Sequence, residues 1–434
     1  MNRIDRIVAL SSLWAAAREV YPYFDRLELD WDEAYRDYLS RVMDESDNLK
    51  SWLLLAEFMR LLNDGHTTAV LPRALTAARG HFPYRFTQLG DRFLITEAPC
   101  RSALLREATG IDDLSMAELV ALLDRWQYTA QGHPYKGRLE KWLPLMLPGR
   151  EHVLHTDSGD LPFSFPEDPG SRESASEPDS SQPWQPLAEN MRMFEPQILY
   201  VRMDDMQHRD HAAAFQSVLA QYRPRAVIFD IRRNMGGMTL CGAEYAQPFF
   251  EGSFGGCRKW TQSRSAVDAA SNSQLSVMSP ARRQRLLDEG TVSEEEFCQA
   301  QAYADRTHVE RYCDNWESSC ETRLPDCPVL LLTSRDTLSA AEDFTAFFKS
   351  NRRGLILGEA TFGSTGSPLL LRLPEDGGAQ IVSVGYELAD GTPFIGCGIQ
   401  PDIPCRNSME DWRIGHDRQL DAALDVLRDR LRGF

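Results

Sequence analysis

Three things are scarce in this chain, and each scarcity closes off a class of function. Its 434 residues contain no run of eighteen apolar side chains, so the pattern offers no stretch long enough to cross a bilayer as a helix. Basic side chains are outnumbered: 47 lysines and arginines against 64 aspartates and glutamates leave a formal charge of −17. That balance argues against nucleic acid and against a membrane surface as partners, because both are recognised through a basic footprint. The nine cysteines are an odd number, so they cannot form a complete disulfide framework. Cys298, Cys313, Cys320 and Cys327 fall close together with His308 nearby, but without the paired C-x-x-C spacing of a structural zinc site. They read as loose thiols, with no metal and no cofactor expected. The first helix-like stretch, IDRIVALSSLWAAAREV, carries Asp5, Arg6, Arg18 and Glu19 and lacks the basic-apolar-small order of a secretory signal, so a cytoplasmic protein is expected.

What is present divides the chain. Residues 1–75 read as a helical subdomain, in which Leu55, Phe58, Met59 and Leu62 recur at the spacing of one buried helical face before Asn63-Asp64-Gly65-His66-Thr67 ends the pattern. Residues 76–163, with strand-like RFLIT and amphipathic MAELVALLDRW, read as a small α/β module. Residues 164–190 are dense in Ser, Pro, Glu and Asp, a composition that buries little apolar surface, and are expected to be a disordered linker. From 191 to 410 the pattern is strand, helix, strand: ILYVRM, the helix face of Phe215, Val218, Leu219 and Tyr222, then AVIFDI, repeated later as PVLLLT, AAEDFTAFFKS and GLILGE. Such βαβ units predict an α/β core with a parallel sheet. A polar insertion at about 251–326 interrupts it and is too long for an ordinary connection. LLLRLPEDGGAQIVSVGYEL predicts a hairpin about Asp376-Gly377-Gly378, and residues 411–434 predict a terminal helix with Leu420, Leu424, Leu427 and Leu431 on one side.

Open α/β sheets place catalysts at the carboxyl ends of their strands, in loops of small residues. Two such loops occur, in VIFDIRRNMGG and VLLLTSRDTLSAAEDF. Ser339 stands where the second loop enters a helix, whose N-terminus favours developing negative charge. Gly236 and Gly237 in the first would let backbone N–H groups approach a substrate carbonyl, as an oxyanion hole requires. Singly, each piece has a plain structural reading: Ser339 with Glu342 is also a capping box, the glycine pair a tight turn, and His66 a surface turn residue.

In combination they resemble the tail-specific, or C-terminal-processing, serine protease family. Asp230-Ile231-Arg232-Arg233-Asn234-Met235-Gly236-Gly237 matches its D-x-R-x-N-x-G-G loop, and Thr337-Leu338-Ser339-Ala340-Ala341-Glu342 its T-x-S-A-x-E segment. Gly358-Glu359-Ala360-Thr361-Phe362-Gly363 matches G-E-x-T-x-G, and Gly396 to Asp402 the closing G-x-G-I-x-P-D, all in the family's order over about residues 195–405. The opening LWAAAREVYPYFD, LDWDEAY and L-x-D-G-H-T resemble the tricorn core protease-like subgroup with a histidine base. The resemblance implies a ClpP/crotonase-like βαβ core, a degenerate PDZ-like module within 76–163, Ser339 as nucleophile and His66 as general base. It also implies N–H groups of Gly237 or Gly236 and of Ala340 as the oxyanion hole, and a peptide or unfolded protein as substrate. A homo-oligomer is compatible with it.

Two positions depart from the family. Ser364 stands where the bacterial processing peptidases carry a lysine base, and Ile395 where tricorn-like members carry a glutamate. The acid that would orient His66 is therefore open among Glu342, Glu359 and Glu387. The same departure supports an alternative, a catalytically impaired peptide- or ligand-binding protein of the same fold. With an ordinary histidine as base, activity should rise with pH around 6.5.

Overall fold

A computed structural model describes residues 1–149, 151–168, 170–207, 210–262, 275, 278–305 and 309–432. His308 and residues 263–274, 276–277 and 306–307 of the insertion lie outside the described residues.

The chain opens with three helices, each started by a side-chain cap that satisfies an otherwise unpaired amide. Asn2 accepts from the Asp5 N–H at the head of α1 (Arg3–Val20), Asp30 from Asp32 and Glu33 at α2 (Trp31–Asp44), and Asp47 from Lys50 at α3 (Asn48–Arg60). The predicted face of α3 is inside: Leu55, Phe58, Met59 and Leu62 are all fully buried. Asn63 then takes a left-handed conformation (φ 53°), which turns the chain into β1 (Thr68–Val70).

Next comes a sheet with the antiparallel order β2 (Arg85–Leu89), β3 (Arg92–Ala98), β4 (Glu107–Ile111), β5 (Glu151–Thr156), β6 (Leu161–Ser164), with α4 (Met116–Leu123) and α5 (Arg138–Met146) between β4 and β5. Its apolar side merges with the N-terminal helices in one core that includes Trp52, Phe58, Phe86, Leu119 and Trp142.

The segment after β6 is not the free linker its composition suggested. Glu173–Ser174 pairs with β3, and Arg172 donates to the carbonyls of Pro83 and Phe82, each at 2.9 Å. Asp179 holds Arg192 and accepts the Asp417 N–H at 2.8 Å through its carbonyl. Residues 184–188 form a strand of the central sheet. Composition weighs apolar burial alone, whereas this segment is ordered by ladder hydrogen bonds and charged contacts.

The central sheet contains β7 (Trp184–Ala188), β8 (Met191–Phe194), β9 (Ile198–Arg202), β10 (Ala226–Asp230), β13 (Val329–Thr333), β14 (Leu355–Gly358) and β18 (Ile403–Pro404) in spatial order β18-β14-β13-β10-β9-β8-β7. It is parallel from β18 to β9 and antiparallel beyond. Every residue of β10 and β13 is buried, as expected of apolar runs covered on both faces. Helices α6 (Asp210–Tyr222), α7 (Thr239–Ala246) and α8 (Ala340–Ser350) cover one face through Phe215, Leu219, Tyr245, Phe344, Phe347 and Phe348. Helix α9 (Arg418–Arg432) covers the other through Leu420, Leu424 and Leu427. Each such buried side chain is worth roughly 1.5–3 kcal/mol.

Two small sheets complete the fold. In one, β11 (Cys257–Gln262) lies between β12 (Val309–Cys313) and β17 (Gly385–Leu388), which ties both ends of the insertion to the core. In the other, the predicted hairpin of β15 (Pro368–Arg372) and β16 (Gly378–Val382) accepts β1 along its free edge, with Thr68 opposite Gln380. That pairing brings the end of the helical region to the carboxyl ends of β10 and β13.

Candidate active site

The loops after β10 and β13 are stitched to each other before any side chain reaches solvent. The Thr337 hydroxyl donates to the Ile231 carbonyl at 2.9 Å, the Ser334 hydroxyl to that of Arg232, and the Leu338 N–H to that of Asn234 at 3.1 Å. Below them Arg232 is locked between Asp230 and Asp417, with bonds of 2.9 Å to the first and 2.7 Å to the second. Burial opposes charge on Asp417, but the Arg232 guanidinium outweighs it and holds the carboxyl below its ordinary range. The Asp and Arg of the first motif are thus a buried ionic clamp under the loop.

Ser339 sits at the head of α8 with φ 61° and ψ −131°, a conformation that L-residues rarely hold and that surrounding contacts must enforce. Its own N–H donates to the Ser364 carbonyl at 3.0 Å. It makes no side-chain cap to the helix, so the capping-box reading of Ser339 and Glu342 does not hold. The hydroxyl instead lies 3.1 Å from Nε2 of His66, a residue 273 positions earlier.

His66 is placed by its own turn. Its N–H donates to Asp64 Oδ1 at 2.8 Å, and the next residue, Thr67, accepts the Val382 N–H at 3.0 Å, fixing the turn to β16. Nδ1 of the ring lies 2.6 Å from the Ser364 hydroxyl. Burial first, and the charge of Arg138 second, push its pKa from 6.5 down to about 4. The expected titration near 6.5 is corrected accordingly: the part-buried ring is short of the water that would solvate an imidazolium.

None of Glu342, Glu359 and Glu387 touches the ring. Glu342 is fully buried and accepts from the Thr361 hydroxyl and from the N–H groups of Gly363 and Ser364, each N–H at 2.8 Å. It shapes the loop that carries Ser364. Burial raises its pKa from 4.5 to about 7. Glu359 lines a separate cavity of about 800 Å³ with Arg335 and Asp336, and Glu387 faces Arg258 on β11 at 3.8 Å. The residue beside Nδ1 is Ser364, legible in the sequence only as a missing lysine. The buried Asp64 behind it carried no signal beyond its place in a turn.

The glycine loop borders the serine closely. A Cβ on Gly236 would lie 2.5 Å from Ser339 Cβ and 2.8 Å from the Ala340 nitrogen. Of the two glycine amides, that of Gly236 is engaged, donating to Asn234 Oδ1 at 2.8 Å. Asn234 is itself held by a 2.9 Å bond to the Met203 carbonyl. The Gly237 and Ala340 amides have no such acceptor among the described residues. No group of three or more His, Cys, Asp or Glu among the described residues is arranged to hold a metal.

A hydroxyl on a strained strand-to-helix turn, an imidazole at hydrogen-bond distance and two unengaged amides alongside define the class: an α/β protein carrying the constellation of a serine hydrolase. Residues 197–405 match the family model described as Peptidase family S41. Among curated proteins it is similar to a carboxy-terminal-processing protease of Bartonella bacilliformis, 27% identical over 106 residues, covering 24% of this chain and 24% of the relative. It is also similar to a carboxyl-terminal-processing protease of Picosynechococcus sp., 31% identical over 107 residues, covering 24% of this chain and 26% of the relative. The matched stretch thus spans about a quarter of the curated relatives' length. Among solved structures, mature CPAF complexed with lactacystin shares the fold over 99% of this chain and 98% of its own, with a TM-score of 0.71 and 14% identity. The photosystem II D1 C-terminal processing protease covers 95% of this chain and 98% of its own, with a TM-score of 0.50 and 17% identity.

Proposed function

We propose that this protein is a serine peptidase acting on peptides or unfolded proteins, with Ser339 as nucleophile and His66 as general base. The observation that carries the proposal is the 3.1 Å approach of His66 Nε2 to the hydroxyl of a backbone-strained Ser339.

In the first half-reaction the Ser339 hydroxyl proton passes to Nε2 while its oxygen bonds to the scissile carbonyl carbon, and the carbonyl electron pair moves onto oxygen. The Gly237 and Ala340 N–H groups are the donors available to that oxyanion. Collapse of the tetrahedral adduct breaks the carbon–nitrogen bond, and the leaving amine takes the proton from Nε2. Water then repeats the sequence on the acyl-enzyme and regenerates the hydroxyl. The depressed pKa of His66 keeps its imidazole neutral, and so ready to accept, at any pH above about 4.

Ser339→Ala should leave the thermal transition in place and lower turnover of an unstructured peptide by at least about 1,000-fold. Retention of parental turnover by purified Ser339→Ala would refute the assignment. A serine-directed fluorophosphonate should label the parent at Ser339, which a binding-only protein would not show.

A further inference from the structure

From the hydrogen-bond geometry behind His66 we infer that Ser364 is the positioning residue that fixes the tautomer of the base, and that the buried carboxylate of Asp64 completes the relay in place of a directly contacting acid. The inference rests on the peptidase reading above and deepens it.

To accept a proton at Nε2, His66 must carry its ring proton on Nδ1. The atom 2.6 Å from Nδ1 is the Ser364 hydroxyl oxygen, so Nδ1–H donates and the serine oxygen accepts. That leaves the serine's own proton to be given elsewhere. Its backbone has no freedom to move away: the Ser364 N–H is held by Glu342, and its carbonyl accepts from Ser339. Gly65, next to the base, presses so closely that a Cβ there would lie 2.9 Å from the Ser364 oxygen.

Asp64 supplies the acceptor. The residue is 3% exposed, its Oδ1 takes the His66 N–H, and its Oδ2 is buried without a hydrogen-bond partner. A buried, unpaired carboxylate oxygen is costly, and such an atom in a native fold calls for an explanation. Burial raises the Asp64 pKa from 3.8 to about 6, and the Thr67 and Ser364 hydroxyls both lie close enough to offset part of that effect; of the two, Ser364 is the one that also reaches the ring. The order of donation is therefore His66 Nδ1–H to Ser364 oxygen and Ser364 O–H to Asp64. When Ser339 gives its proton to Nε2, the imidazolium formed is stabilised by a carboxylate one hydroxyl away, and no proton need leave Nδ1.

The relay explains how the chain dispenses with both family devices at once: the residue in the lysine's place serves the histidine instead of replacing it, and the histidine needs no glutamate at position 395. The test pairs kinetics with nitrogen-15 NMR of the histidine rings. Ser364→Ala should lower kcat on the order of 100-fold with KM within about two-fold, because the tautomer matters to proton transfer and not to peptide binding. Asp64→Asn should lower kcat less. In the NMR spectrum the parent's His66 should show the Nδ1–H tautomer, and Ser364→Ala should shift it toward Nε2–H, a change that simple loosening of a loop would not produce in that direction. If Ser364→Ala keeps parental kcat, or keeps the Nδ1–H tautomer, while Ser339→Ala is inactive, the relay is wrong and the peptidase reading stands. If Ser339→Ala is as active as the parent, the peptidase reading and the relay that rests on it fall together.

Discussion

At His66 burial and the charge of Arg138 act in the same direction on the ring. A free histidine titrates near 6.5, but here the ring is part-buried and within reach of the Arg138 charge, and its pKa falls to about 4. A base works only when unprotonated, so on the proposed reading kcat/KM should rise with pH through about 4, with a further, smaller rise through about 6 as the buried Asp64 carboxyl loses its proton. Stopped-time assays across that range check this, and a main limb centred near 6.5 would show that the ring is solvated as in a free peptide. Ser339 and His66, which the structure brings within 3.1 Å, could both be proposed from the sequence because each stands in a short motif with fixed neighbours. Ser364 could not, because a serine after a glycine carries no signal of what faces it. The glutamates proposed as orienting acids were chosen by residue type, and burial turned out to use Glu342 for holding backbone amides instead.

The loops that meet over the sheet's edge form one unit, and glycine is required where they touch. Gly236 has φ +92° and faces Ser339 with no room for a methyl group. Gly236→Ala should therefore displace either Ser339 or the adjacent amides and, on the proposed reading, lower kcat about 100- to 1,000-fold, read by steady-state kinetics against an unchanged circular dichroism spectrum. Strands β10 and β13 were legible as apolar runs, and α6 before the first and α8 after the second as helices, because period and burial are local properties. The stretch at 164–190 was misread for the opposite reason: its order comes from strand partners and from Asp417, Asp421 and Arg192, which lie elsewhere in the chain.

Across the whole molecule, two buried charge arrangements shape stability in opposite directions. Removing the guanidinium with Arg232→Ala leaves Asp230 and Asp417 buried without their cation, and should cost about 3–5 kcal/mol in urea unfolding. Glu342 acts the other way. Its pKa is raised from 4.5 to about 7, so in that window the folded state binds a proton that the unfolded state has released, and stability falls as pH rises. Unfolding free energies should decline by up to about 1.4 kcal/mol per pH unit from this group, and the slope should flatten in Glu342→Gln. The α/β class was readable from one sequence. The way the N-terminal helices fold back was not, since strand partners so far apart leave no mark on local periodicity.

The edge pairing of β1 with β16 has a consequence for how such a protein is made. A ribosome releases the imidazole first and the nucleophilic hydroxyl hundreds of residues afterwards, and the hairpin that anchors the imidazole emerges later still. A nascent or truncated chain lacking residues 378–382 therefore has no strand on which to seat His66 beside Ser339, so the two side chains meet only once the whole of that hairpin has been made.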